Sequence, residues 1–392
     1  MDVSVLLEIG IILFFAKIFG EISRRIGISS IVGEVIAGIA IGSLFHFRPD
    51  HLLEIISGIG ILILVFLIGL ETKFEEIKSD IYKGSILAIF GSMLTFICGL
   101  FLGEIIFGSL NTGIVIGIAM ISTSTAIPIK TLIDRGQLKT HVGKILVVIA
   151  VADDIIAILA LSLMTTYFSI GAINVWNILM LFLVMLGFIY MTLTVGTKIV
   201  EKIISFVGYH IKDEQALIAA PIAVAFATAA LSQRLEIAAV TGAFIAGMIM
   251  SKSVFTKSII IPKLGTIGMG FFVPIFFAYS GMLMDLSSVS QTWWIIAVLV
   301  VAGSLAKIIG SGFFSRFFGY DSREQAIISI SMVPRGEYGI VITQLALAIG
   351  VISNSIYTIL ISFVVATIII TPVLFMAEER IFSKKTSYSR KQ

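Results

Sequence analysis

Apolar segments of membrane-spanning length recur along this 392-residue chain from one end to the other, and that recurrence leaves few folds open. A segment in lipid must satisfy its own backbone hydrogen bonds, so runs of this length are helices. With 58% hydrophobic and only 13% charged residues, the chain lacks the polar surface to cover a soluble globule. The apolar pattern reads as thirteen spans, at about 3–22, 29–45, 52–70, 84–107, 112–133, 143–167, 174–198, 214–232, 236–251, 264–284, 292–315, 323–349 and 354–376.

The positive charges in the connections test this count. Of the 27 Lys and Arg residues, Lys17, Lys307 and Arg335 fall within spans and only Arg48 and Arg234 fall on one side. The rest collect on the other side, which the positive-inside rule makes cytoplasmic. The expected topology is a multi-pass protein of the cell membrane with its N-terminus outside and its C-terminus in the cytoplasm. The first apolar segment has no basic residue before it and no small-residue cleavage site, so it is expected to be a retained span.

The chain also repeats. Gly33-Glu34-Val35-Ile36-Ala37-Gly38 in span 2 resembles Gly242-Ala243-Phe244-Ile245-Ala246-Gly247 in span 9. Phe66 to Glu71, ending span 3, resembles Ser280 to Asp285, ending span 10. An offset of seven spans reverses the direction of equivalent helices. Spans 1–6 and 8–13 therefore form inverted repeats joined by span 7, an architecture of secondary transporters. The expected fold is all-α, with thirteen transmembrane helices in inverted six-helix repeats and a broken helix in each repeat.

The breaks are legible as polar clusters with proline. Span 5 carries Ser122-Thr123-Ser124-Thr125 before Pro128, and span 12 carries Ser329, Ser331, Pro334, Arg335, Gly336 and Glu337. Proline removes a backbone donor, and non-helical backbone is tolerated at membrane depth only where protein or a cavity surrounds it. Span 6 places Asp153 and Asp154 side by side in an apolar run. Each acid costs roughly 2.5–3.5 kcal/mol at the centre of an inserted helix, so both need partners away from lipid. Neighbouring side chains diverge by about 100°, so one acid can bind a cation while the other reaches another helix. Lys307 in span 11 is the basic candidate. Carboxylate and hydroxyl oxygens suit a hard cation such as sodium. The candidate metal ligands are Asp154, Asp153 and Thr123, with Ser122, Ser124 and Thr125 beside them. Glu337 is expected to offset helix N-termini and Arg335 helix C-termini.

Glu34, Glu71 and Asp285 read as packing residues, and His46, His51, His141 and His210 fall at connections. Trp176, Trp293 and Trp294 read as interfacial anchors. The single cysteine, Cys98, excludes an intramolecular disulfide. Phosphate loops, zinc-ligand clusters and Ser-His-Asp arrangements are lacking.

Taken in order, these motifs resemble the cation/proton antiporter-2 family, close to its prokaryotic sodium/proton antiporters. The matching residues are Gly33-Glu34 with Gly38 and Gly42, Phe66 to Glu71, Ser122 to Thr125, Ala152-Asp153-Asp154, and Gly242-Ala243-Phe244 with Ala246-Gly247. They continue with Pro274 to Phe277, Gly281 and Asp285, Lys307, and Pro334-Arg335-Gly336-Glu337. The resemblance implies a homodimer in membrane lipid that is no enzyme, needs no cofactor, binds no nucleic acid, and has sodium and protons as substrates, with lithium a further candidate. It assigns 1–83 and 214–290 to a dimerisation domain, 84–170 and 291–378 to a mobile core, 171–213 to a linker with span 7, and 379–392 to a cytoplasmic tail. It further implies that the two broken helices, spans 5 and 12, cross at their breaks, and it implies an elevator motion of the core, electrogenic exchange, Asp154 as the cation and proton carboxylate, and Asp153 paired with Lys307 when sodium is absent. A potassium/proton antiporter on the same scaffold, a channel and an intramembrane aspartyl protease remain alternatives.

Overall fold

In the computed structural model, residues 3–26, 29–44, 50–71, 81–124, 128, 132, 140–170, 190–210, 215–235, 237–251, 253 and 255–389 are described, with isolated residues between 180 and 188. Thr125, His46, Trp176 and most of the expected span 7 lie outside them. The described residues are helical, without strands. Seven helices among them are long and apolar enough to cross a membrane. The helices are α1 (Val3–Arg25), α2 (Ser30–Leu44), α3 (His51–Glu71), α4 (Ile81–Phe107), α5 (Leu110–Ile121), α6 (His141–Ile170), α7 (Thr197–His210), α8 (Ala216–Arg234), α9 (Ala239–Met250), α10 (Ile261–Ile267), α11 (Val273–Met282), α12 (Leu286–Lys307), α13 (Ser322–Ser331), α14 (Glu337–Ala348) and α15 (Asn354–Ser389). The last helix runs on past the expected end of span 13 through much of the polar tail.

The chain divides into two compact units. The first comprises Met1–Ile18, Glu34–Glu76 and Ile158–Met282; the second comprises Phe19–Gly33, Ile77–Ala157 and Leu283–Gln392. Helices α1, α2 and α6 each contribute residues to both units.

The first unit is built on glycine-mediated helix contacts. A Cβ on Gly69 would stand 2.3 Å from the Phe244 carbonyl oxygen, and one on Gly247 would stand 2.2 Å from that of Phe66. Thus α3 and α9 touch backbone to backbone, the close approach that small residues permit where lipid supplies no hydrophobic drive. The same pattern joins α2 and α11. A Cβ on Gly281 would meet the Val35 carbonyl oxygen at 2.1 Å, and one on Gly38 that of Ala278 at 1.9 Å. The two contacts are equivalent under the repeat, span 3 on span 9 mapping to span 10 on span 2. They also correct the register of the repeat. Gly69 corresponds to Gly281, two residues away from the alignment that matches Glu71 with Asp285, because packing selects the glycine and not the terminal acid. Asp285 instead caps α12, accepting from Ser287 N at 3.0 Å. Glu34 is buried in this unit and lies 3.4 Å from Lys17 Nζ.

In the second unit α4 and α5 form an antiparallel pair through Gly103 and Gly113, where an added Cβ would fall 2.1 Å from the Gly113 Cα. At one end a cluster including Leu87, Ile145, Leu146, Ile149, Ile328 and Phe375 is fully or nearly fully buried. It anchors α4, α6, α13 and α15 around the site.

A leucine at Gly247 overpacks a backbone contact and should cost at least about 3 kcal/mol. Thermal unfolding of detergent-solubilised protein should show the loss. Gly58→Ala, at a glycine with open space around its Cβ position, should leave the transition in place.

Candidate functional site

The site is assembled from one stripe of α6. Ile145, Ile149, Asp153 and Ala157 recur every four residues and are each wholly inaccessible. Asp153 therefore occupies a position whose helical neighbours are core residues, while Asp154, one residue on, is only partly buried.

Three donor groups converge on the Asp153 carboxylate through four hydrogen bonds. Oδ1 accepts from Ser92 Oγ at 2.6 Å and from Lys307 Nζ at 2.7 Å. Oδ2 accepts from Thr123 Oγ1 at 2.5 Å and from the same Nζ at 2.7 Å. Lys307 is as inaccessible as Asp153. Its position depends on local backbone. Lys307 ends the regular part of α12, and Ile308–Gly312 follow as a π-helical turn, a distortion common at functional sites. There Gly310 and Gly91 face each other so closely that a Cβ on Gly310 would lie 2.6 Å from the Gly91 Cα. A Cβ on Gly91 would meet Ser311 Oγ at 2.1 Å. The missing side chains let α4 reach the lysine and the acid together.

The two breaks cross beside this pair. α5 stops at Ile121, and Ser122 takes extended torsions, φ −59° and ψ 133°. α13 stops at Ser331, and α14 restarts at Glu337. Ser124 N donates to the Pro334 carbonyl oxygen at 2.8 Å, so each break satisfies part of the other. Gly336 has an extended backbone that any residue adopts. Its glycine is needed for space, since a Cβ would lie 3.0 Å from the Thr123 carbonyl oxygen.

Arg335 is fully buried. Its Nη2 donates to the Gly303 carbonyl oxygen at 2.6 Å, and its guanidinium lies 5.7 Å from the Phe363 ring centroid. Its carbonyl partner lies in α12, four residues before Lys307, where Gly303 leaves room for the guanidinium. Glu337 stands in the first turn of α14, where the helix dipole favours an acid. Asp154 lies within electrostatic range of Glu337, Asp153 and Lys307. Ser122 Oγ, Ser124 Oγ, Ser331 Oγ, Tyr338 OH and Arg335 Nε and Nη1 are buried without a hydrogen-bond partner among the described residues. Such groups in an apolar interior call for water or an ion. Ser92, Ser331 and Tyr338 are absent from the sequence-based candidates. A small polar residue beside Gly91 in an otherwise apolar span was the available signal for Ser92.

Placed against known proteins, the chain matches the family described as "Sodium/hydrogen exchanger, transmembrane" over residues 10–376. It belongs to the sodium/hydrogen exchanger family. Relatives include a Bacillus cereus protein named Na(+)/H(+)-K(+) antiporter GerN, 30% identical over 374 residues and covering 95% of each chain. A Na(+)/H(+) antiporter of Enterococcus hirae is 26% identical over 377 residues, 96% of this chain and 97% of its own. Among solved structures, the sodium proton antiporter MjNhaP1 of Methanocaldococcus jannaschii has the same fold, with a TM-score of 0.76 at 16% identity over 95% of this chain and 97% of that one. This exchanger is accordingly a multi-pass, all-helical membrane transporter rather than an enzyme, and the resemblance stated from its motifs holds at family level.

Removing one member of a buried ion pair strands the other, at roughly 3–5 kcal/mol. Lys307→Ala in this exchanger should therefore lower thermal stability sharply, and adding Asp153→Asn should return most of the loss. Simply additive losses in this double-mutant cycle would mean the two groups are not coupled.

Proposed function

We propose that this protein exchanges sodium, or lithium, for protons across the cell membrane, with Asp154 as the carboxylate that carries either in turn. The observation that supports this reading is the unequal environment of the adjacent acids. Asp153 is saturated by Lys307, Ser92 and Thr123, whereas Asp154 is partly exposed and within electrostatic range of Glu337 and Tyr338. A cation arriving at Asp154 finds oxygen donors of the type sodium takes in Thr123, Ser122 and Ser124, with Thr125 next in sequence. Asp153 becomes a ligand when Lys307 releases it. Protons and sodium then compete for the same carboxylates, which couples their movements without a separate gate.

Electrogenic exchange follows from this scheme if sodium binding displaces protons from both Asp154 and Lys307. Transport by an elevator motion assigns the moving part to the unit that holds the site and dimerisation to the other unit. A potassium/proton exchange is the second reading, favoured by the name of the Bacillus cereus relative, Na(+)/H(+)-K(+) antiporter GerN.

Two measurements in proteoliposomes test the proposal. Asp154→Asn should abolish sodium-dependent proton movement, and exchange at the wild-type rate by that variant would end the assignment. In the native protein the apparent sodium affinity should weaken as pH falls, by about tenfold per pH unit for each competing proton. A slope near two marks displacement of two protons and should accompany a current under voltage clamp. A flat dependence would remove the competition on which the mechanism rests. Adding lithium and potassium in separate arms decides between the two cation readings.

A further inference from the structure

We infer that Ser92 is a positioning residue of the exchange site, keeping Asp153 an oriented carboxylate while Lys307 leaves it. The inference rests on the exchange reading above and adds a residue from α4 to it.

Its geometry is specific. A serine inside a helix commonly turns its hydroxyl to the carbonyl one turn back. Thr95 does this in the same helix, donating to the Gly91 carbonyl oxygen at 2.6 Å. Ser92, buried to 2% exposure, instead donates across to Asp153 Oδ1 at 2.6 Å. The helix is held at that distance by its own contacts with the π-turn of α12. Ser311 Oγ donates to the Leu87 carbonyl oxygen at 3.0 Å, and Gly91 meets Gly310 backbone to backbone. Leu87, Gly91 and Ser92 thus present one face of α4 to the Lys307 region.

The consequence follows from counting donors. With Lys307 in place, each Asp153 oxygen accepts one hydroxyl and the ammonium. When the ammonium withdraws, Ser92 keeps Oδ1 bonded and Thr123 keeps Oδ2 bonded. Thr123 sits in the break, so Ser92 is the donor that comes from a continuous helix. Hydrogen bonds from fixed hydroxyls hold a carboxylate in one orientation. The charged groups facing Asp153 are Lys307 from α12, Arg335 from the second break and Asp154 from α6, with Glu337 of α14 facing Asp154. None of these replaces the Ser92 hydroxyl on Oδ1.

Ser92→Ala, reconstituted as the full chain in liposomes, should move the pH profile of sodium-driven proton exchange toward higher pH by about one unit. Its apparent sodium affinity at fixed pH should weaken about tenfold. Ser92→Thr, which keeps a hydroxyl, should restore the wild-type profile. Ser92→Cys, near in size with a weak donor, should shift in the same direction and supplies the reading if the alanine variant does not insert. Thr95→Ala removes a buried hydroxyl from the same helix and should leave the profile where it was. A wild-type profile in Ser92→Ala or Ser92→Cys, or an equal shift in Thr95→Ala, overturns the assignment. Asp154→Asn measured alongside separates the two claims. If it is inactive while Ser92→Ala behaves as wild type, the exchange reading stands and the role of Ser92 falls. If it exchanges normally, the exchange reading falls.

Discussion

An ammonium and a carboxylate, both sealed from solvent, meet at the centre of the second unit and join several of its segments. Each alone in the membrane interior carries a desolvation cost of several kcal/mol. That cost is offset only when the two charges meet with all their hydrogen bonds made. Meeting that condition draws in α6 for Asp153, α12 for Lys307, α4 for Ser92 and the first break for Thr123. The glycines at 91 and 310 and the π-turn after Lys307 are the means by which four backbone segments reach one pair of oxygens. An added methyl group at either glycine collides with this convergence.

The broken helices obey the same economy of polar groups. A helix stopped at membrane depth exposes carbonyls and amides that lipid cannot satisfy. Here the two stops lie against each other, with Ser124 N bonded to Pro334 and Gly336 leaving space for the Thr123 carbonyl. Arg335 N is taken by Thr367 Oγ1 at 3.0 Å, so part of the second break is secured by α15. The hydroxyls of Ser122, Ser124, Ser331 and Tyr338 are not secured in this way. They cluster where backbone is already irregular, and their oxygen atoms give the crossing a polarity that the surrounding helices lack.

Much of this architecture was legible in the sequence because lipid imposes simple rules. Span length, charge segregation and intramembrane acids each report directly on the bilayer, and they place the helices, Asp153, Asp154 and Lys307. What was not legible depends on approach distance. Gly69 and Gly281 are equivalent by contact, yet reading the span ends as Glu71 against Asp285 shifts them by two residues. Arg335 looked like a helix-end charge because its neighbours in sequence form a break, but its side chain reaches Gly303, which is distant in sequence. Ser92 resembled any small residue in an apolar helix. Its direction is decided by the contact between Gly91 and Gly310, which periodicity does not encode.

The placement of the two acids carries the argument one step further. A single buried carboxylate that both paired with lysine and carried the substrate would have to break its best interaction at every turnover. Two adjacent acids on one helix point in directions about 100° apart, so here the lysine-paired acid and its neighbour occupy different environments. Asp153 faces the core stripe and stays tied to several segments, while Asp154 faces a less enclosed environment within reach of the charges on Lys307 and Glu337. A change in the charge of Asp154 alters the electrostatic balance on Lys307 without the two side chains needing to touch. Adjacent in sequence and divergent in space, the two acids are therefore linked electrostatically through the lysine. Replacing the pair by one acid would keep a binding group and lose the balance between the two environments.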